Sequence, residues 1–259
     1  MATPSAARRA TEAMTPSAPP RRFSVRLLPR LAGALATLLL DVLVPRRCGL
    51  CGSFGTFLCL ACAAALPRAD GPRCPTCAAP LARGTVCRAC AALPGQPLAS
   101  LTAACRFEGG ARRLVHRLKY ESLSALAEPM GALIAACPLP QPRPDVIVPV
   151  PLHRGRARQR GFNQAELLAR VVGRAHDIPV APRALVRVRA TPSQVRQASA
   201  GRRAANVAGA FACREDLSGR VVLLVDDVAT TGATLRACAA ALRAAGARAV
   251  HAAVFAHDD

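Results

Sequence analysis

The stretch Val221-Val222-Leu223-Leu224-Val225-Asp226-Asp227-Val228-Ala229-Thr230-Thr231-Gly232-Ala233-Thr234-Leu235 constrains the fold of this chain more than any other. Its first five residues are aliphatic and mostly β-branched, the pattern of a strand buried on both faces of a parallel sheet. Two adjacent carboxylates, Asp226 and Asp227, stand at its carboxyl end, where open α/β sheets place their ligands. Thr230, Thr231, Gly232 and Thr234 then lead into an Ala/Leu-rich run, Leu235 to Ala245, that predicts a helix. Small and hydroxyl residues at a helix start leave backbone N–H groups and positive dipole free for an anion. One segment thus offers phosphate donors beside carboxylates suited to ribose hydroxyls. The alternative is a structural strand–turn–helix with a solvated Asp pair.

Cysteine spacing is the second constraint. Cys48-x2-Cys51, Cys59-x2-Cys62, Cys74-x2-Cys77 and Cys87-x2-Cys90 form four knuckles within forty-three residues. Each knuckle gives two thiolates to one metal, and two complete a tetrahedral site. Soft sulfur ligands select zinc or iron–sulfur, and with no redox partner motif zinc is the default. Disulfides would require a secreted chain. Sequential pairing of the knuckles is preferred to an interleaved one. Cys105, Cys137, Cys213 and Cys238 stand alone in apolar or mixed surroundings, as small packing residues do.

At 259 residues the chain suits one fair-sized domain plus a small one, and its net charge of +20 favours polyanions: phosphates, nucleic acid or an anionic membrane surface, among which charge alone does not choose. It remains strongly basic even if eight thiolates hold two divalent ions. Aromatics are few, with Tyr120 the single tyrosine and Lys119 the single lysine. Residues 1–30 read as a disordered basic tail. The apolar run Leu31 to Leu40 is too short to span a bilayer, Asp41 interrupts it, and no small-x-small cleavage site follows. It predicts an amphipathic helix on the body of the protein rather than a leader.

After a linker around Pro94 to Pro97, Leu101 to Phe107 predicts a strand and Glu108-Gly109-Gly110 a turn. Ala111 to Tyr120 predicts a helix whose basic residues, Lys119 among them, lie mostly on one face that is either solvated or set to attract a polyanion, and Ser122 to Cys137 predicts another. Asp145 to Pro151 predicts a short buried strand. Arg154, Arg156, Arg158 and Arg160 follow, spreading guanidinium groups along a loop, before Asn163 and Gln164 open a helix. The segment from Val186 to Phe211 is polar and of little periodicity, the composition of a lid or of an ordinary exposed loop. Between Val146 and Arg214 thirteen arginines face only Glu166 and Asp177.

The Val221–Leu235 stretch resembles the phosphoribosyl-diphosphate (PRPP) motif of type I phosphoribosyltransferases. The resemblance implies that Asp226 and Asp227 hold ribose hydroxyls and serve as the catalytic acids. It implies that Ala229, Thr230, Thr231, Gly232, Ala233 and Thr234 wrap the 5-phosphate. Pro151, Leu152 and His153 fall where that family binds diphosphate, although it more often has a small residue there. The lid segment, with Arg202 and Arg203, would close over the ligand. Knuckles, VPVPLHRGRARQRGFNQA, GRRAANVAGAF and VDDVATTGATL in this order resemble the ComF family, linked to natural competence, over roughly residues 40–256. The expected fold is α/β: a type I phosphoribosyltransferase-like parallel sheet flanked by helices, with an N-terminal double zinc ribbon. Expected boundaries are a tail over 1–30, a helix and double ribbon over 31–93, and a transferase-like domain over 98–259.

Expected cofactors are two structural zinc ions at Cys48, Cys51, Cys59, Cys62, Cys74, Cys77, Cys87 and Cys90, with magnesium and PRPP at the other site. The resemblance implies a cytoplasmic protein without a membrane span that transfers or binds a phosphoribosyl group in DNA uptake or nucleotide salvage. The competing function is a non-catalytic adaptor that senses PRPP or holds single-stranded DNA for DNA-uptake proteins. A third reading makes the ribbons a structural cap on the transferase domain.

Overall fold

The computed structural model of the protein describes residues 45–92, 95–121, 123–152, 155, 158, 160–189 and 209–259. Arg46–Asp259 is one compact unit. The expected tail, the helix near 31–40 and the lid residues 190–208 lie outside the described residues. In chain order the elements are α1 (Leu60–Ala64), α2 (Arg88–Ala91), β1 (Ser100–Arg106), α3 (Gly109–Tyr120), α4 (Ala127–Ala135), β2 (Val146–Pro149), α5 (Gln164–His176), β3 (Leu185–Arg187), β4 (Phe211–Cys213), β5 (Val221–Ala229), α6 (Ala233–Ala244) and β6 (Ala249–His257).

β1, β6, β5 and β2 form a parallel sheet in that order, and β3 and β4 pair antiparallel beside it. β5 is central and buried on both faces, as its aliphatic run requires. Val222 and Leu224 pack with Leu235, Cys238 and Leu242 of α6. Leu223 and Val225 pack on the opposite side with Leu114 and Leu118 of α3, Met130 of α4 and Leu168 of α5. The strand runs four residues beyond the aliphatic run, because pairing of Asp226, Val228 and Ala229 with Val254, Ala256 and His257 of β6 continues the ladder. Among the lone cysteines, Cys105 and Cys238 are fully buried, and Cys137 and Cys213 pack at the edges of the two cores.

Two expected boundaries move. The Glu108-Gly109-Gly110 segment enters α3 instead of forming a free turn: Gly109 takes a φ of 48°, and Gly110 lies against Leu50 and Leu66, where a Cβ would come within 3.1 Å of both side chains. The helix expected over Ser122 to Cys137 is divided into a 3-10 turn, Ser124–Leu126, and α4. Pro129 accounts for this, since proline is tolerated only in the first turn of a helix.

α4 and α5 touch at a glycine. A Cβ on Gly131 would stand 2.6 Å from Cβ of Val171. Gly131→Ala should therefore destabilise the fold by about 1–3 kcal/mol through overpacking, outweighing a helix-propensity gain of at most about 1 kcal/mol. A lower urea midpoint with an unchanged slope checks this; an equal or higher midpoint contradicts it.

Candidate functional site

Successive strand residues point to opposite faces, so the two carboxylates of β5 part company. Asp226 stays on the α6 side and accepts a hydrogen bond from the backbone N–H of Asp227 at 2.8 Å. Asp227, only 5% exposed, turns to the α3 side, where Oδ1 lies 2.9 Å from Nζ of Lys119. The chain's single lysine thus pairs with a carboxylate of the chain itself, rather than only facing solvent or an external polyanion. Its singularity in an arginine-rich chain was the available signal.

Asp226 keeps slight solvent contact, yet burial first and the charge of Asp227 second push its carboxyl up from 3.8 to about 7; Lys119 pulls the other way. Between those two values the native chain holds a proton here that the unfolded chain has released. This group therefore makes stability fall as pH rises from about 4 to about 7. Asp226→Asn should flatten that component, so the variant gains on the wild type between pH 5 and pH 8 in urea melts. A constant difference across that range contradicts the assignment.

Beyond β5, Thr230 is exposed and Thr231 and Thr234 partly exposed, while Ala229, Gly232 and Ala233 are buried. Gly232 precedes α6 with φ 67°, a left-handed conformation that glycine adopts without strain. The turn is held from within: the N–H of Ala233 approaches the Thr231 hydroxyl at 3.4 Å, and Arg236 Nη2 donates to the Thr231 carbonyl at 2.7 Å. Arg236 adds a cation to the first turn of α6 that motif reading passed over. The Thr230 to Thr234 segment is thus a short turn at the N-terminus of a twelve-residue helix, the backbone setting for an anion.

β2 brings the second loop to the same sheet edge. Pro149 pairs with Val225, and the Val150 N–H donates to the Val225 carbonyl at 3.0 Å. Pro151 and Leu152, both half-buried, therefore leave the sheet beside the acid pair. With Asn163, Arg183, Arg187 and Arg214 they line an open cleft of about 500 Å³. Asn163 caps α5 by accepting from the Ala165 N–H and ties it to β2 by donating to the Val150 carbonyl at 3.1 Å. His153, Arg154, Arg156, Arg202 and Arg203 lie outside the described residues. Of the loop arginines that are described, Arg158 is exposed and Arg160 donates to Gln164 Oε1 at 3.2 Å.

The eight knuckle cysteines gather sequentially into Cys48, Cys51, Cys59, Cys62 and Cys74, Cys77, Cys87, Cys90, each set of four Sγ atoms lying within 4.8 Å of one another. A zinc with bonds of about 2.3 Å needs sulfurs about 3.8 Å apart. Cys51 and Cys59 stand at 3.7 Å, and Cys77 and Cys87 at 3.6 Å, so both clusters fit the ion. Cys59 and Cys87 cap α1 and α2, accepting from the N–H groups of Cys62 and Cys90. Burial raises the thiols of Cys48 and Cys74, but backbone N–H donors overcome it and bring both down to about 6. Hydrogen bonding with Cys59 holds Cys62 up at about 12, so the metal-free clusters keep protons that zinc would expel.

The first ribbon supplies Cys48, Leu58 and Leu66 to the core beneath α3. The second is clamped at Arg73, whose guanidinium meets both carboxylate oxygens of Asp259 at 2.7 and 2.8 Å. Arg73 and then His257 hold the Asp259 carboxyl down at about 2.

Among the described residues, no helix is long and apolar enough to cross a membrane. Residues 39–91 match the double zinc ribbon domain, and residues 144–259 the phosphoribosyl transferase domain. The chain is 34% identical over 220 residues to the DNA utilization protein YhgH of Escherichia coli K12, covering 80% of this chain and 95% of that protein. It is 42% identical over 106 residues to the competence protein F of Haemophilus influenzae, covering 40% and 46%. The glutamine PRPP amidotransferase of B. subtilis overlaps 49% of this chain and 25% of its own, at 25% identity and a TM-score of 0.34. With both of its domain types and nearly the full length of the E. coli protein matched, this chain belongs to the ComF/YhgH family of double zinc ribbon and phosphoribosyltransferase-domain proteins.

Proposed function

We propose that the site binds PRPP with magnesium, as a phosphoribosyltransferase or as a sensor built on that fold. The observation that carries this is the acid pair near the carboxyl end of β5, one member buried and the other partly so, separated by Val228 and Ala229 from the Thr230–Thr234 turn that leads into α6. In this reading Asp226 and Asp227 accept the ribose hydroxyls, backbone N–H groups of Thr231 to Thr234 take the 5-phosphate, and Pro151 and Leu152 bound the diphosphate. The carboxylates and ligand oxygens are the hard donors magnesium prefers, and the ion would neutralise diphosphate charge when bound. In a transfer, the bond from the anomeric carbon to diphosphate breaks and pyrophosphate leaves with the electron pair. The acceptor then forms the new bond and loses its proton. Binding titration of Mg·PRPP by calorimetry tests this reading: saturable binding by the zinc-loaded protein supports it, and none overturns it.

The names of the relatives, DNA utilization protein and competence protein, support placing this activity in the handling of DNA. The arginine-rich segment between Val146 and Arg214 favours a second reading, a PRPP-responsive adaptor that holds single-stranded DNA. Affinity for an oligonucleotide that falls steeply with salt would favour it.

A further inference from the structure

The first cysteine knuckle is fastened to α3 at two levels. In the first turn of the helix, Gly110 packs against Leu50 of the knuckle. Two turns further on, Arg117 Nη1 donates to the carbonyl of Gly49 at 2.7 Å. A Cβ on Gly49 would come within 2.8 Å of Leu126 and 3.2 Å of Leu114, so this knuckle peptide rests on the side chains of α3 and of the 3-10 turn after it. The same residue faces the cysteine cluster through its other backbone group. Its N–H donates to the Phe57 carbonyl at 2.8 Å, two residues before Cys59, and the Cys59 N–H donates to Sγ of Cys48 at 3.5 Å. The direction of the Gly49 carbonyl therefore depends on closure of Cys48 and Cys51 with Cys59 and Cys62. Two residues beyond Arg117, α3 brings Lys119 to within 2.9 Å of Asp227. Helical hydrogen bonds tie each residue to the fourth beyond, so a shift at Arg117 is a shift at Lys119. Among the described residues the second ribbon's ties run instead to β1 and the end of β6: the Pro75 carbonyl accepts from the Leu101 N–H at 2.8 Å, and Arg73 holds Asp259.

Resting on the phosphoribosyl reading, we infer that Arg117 couples the first four-cysteine site to the acid pair, so that zinc in the knuckle and Mg·PRPP at the end of β5 each tighten the binding of the other. With the knuckle closed, the Gly49 carbonyl anchors Arg117, and α3 keeps the Lys119 ammonium on Asp227. The carboxylate is then fixed in direction and a cation stands beside an anionic ligand. With the knuckle open, the carbonyl is free to turn, α3 loses that anchor, and Lys119 loses its position. Arg117 touches neither ligand and is a positioning residue. Coupling between two binding equilibria is reciprocal, so the same factor is read from either end.

The test uses the full chain at a temperature where far-UV circular dichroism shows the zinc-free protein folded. Competition with a zinc-selective chromophoric chelator reads zinc affinity without and with saturating Mg·PRPP, and calorimetry reads Mg·PRPP affinity before and after zinc removal. In the wild type, one of the two zinc ions should be held about tenfold more tightly when Mg·PRPP is present, and zinc removal should weaken Mg·PRPP by the same factor. Arg117→Met keeps the aliphatic stem and loses the donor to Gly49. Its side chain is 37% exposed, so the change leaves no buried gap. Both factors should fall towards one in this variant. Glu121→Gln removes only the charge that Arg117 Nε meets at 2.9 Å and should leave both factors as they are. If the two ligands shared nothing but a preference for the folded chain, the factors would persist in Arg117→Met, and that result overturns the route through α3. Wild-type factors of one overturn the coupling while leaving PRPP binding intact. Failure of Mg·PRPP to bind at all overturns the phosphoribosyl reading and the coupling with it.

Discussion

Stripping zinc from the folded protein should lower the melting temperature of the transferase sheet itself by roughly 10 °C or more. Leu58 and Leu66 of the first ribbon are 8% and 4% exposed and share one core with Leu114, Leu118 and Met130. Each fully buried leucine contributes about 1.5–3 kcal/mol. Their release costs the domain about 3–6 kcal/mol, and a domain of this size shifts by about 2–4 °C per kcal/mol. Among the described residues the first ribbon's buried apolar side chains all belong to a core shared with the rest of the protein, so a zinc ion bound at its cysteines would be what holds its fold. Far-UV circular dichroism melts with and without a chelator measure the effect, and Cys48→Ser should reproduce it without any chelator. The same midpoint in all three would mean the ribbon is a detachable cap and that its leucines are not needed by α3.

Asp226→Asn/Asp227→Asn should weaken Mg·PRPP binding by about 10²–10⁴-fold. Charge-assisted hydrogen bonds are worth about 1.5–3 kcal/mol each, and two of them convert to that range. Asparagine preserves shape, but Asp227→Asn also strands Lys119, whose side chain is 23% exposed and can turn towards water. Asp226→Asn alone keeps the ion pair and serves as the milder arm. Because Lys119 opposes the upward shift at Asp226, Lys119→Met should move the pH midpoint of PRPP binding higher than the value of about 7 set by Asp226. Binding needs the ionised carboxylate and so strengthens as pH rises through that midpoint, the reverse of this group's effect on stability. Calorimetry between pH 5.5 and 8.5 reads both effects; undiminished affinity in the double variant would show that the acids do not hold the ligand.

Some of this was legible because its cause is local. An aliphatic run selects a buried strand, a Thr/Gly segment selects a turn into a helix, and CxxC spacing brings two thiolates to one point. β5, α6 and the knuckles therefore appear where neighbouring residues demand them, and sequential pairing follows from short connections. Local chemistry also opened α5 at Asn163. Boundaries at α3 and α4 departed from expectation where distant or positional effects intervened: Leu50 and Leu66 against Gly110, and Pro129 in a first turn.

The chain's own order of residues determined the strand with its acid pair, the Thr/Gly turn into α6 and two four-sulfur clusters, since each arises within a few bonds or one helical turn. Tertiary structure alone decided what surrounds them. Parallel pairing carried β5 past its aliphatic run and set Asp226 and Asp227 on opposite faces. Folding brought Lys119 to Asp227, Arg160 to Tyr120, Arg73 to Asp259 and the ribbon leucines under α3. Each contact joins segments whose sequences carry no mark of the other, because hydrophobic burial and sheet order, rather than local spacing, determine which surfaces meet.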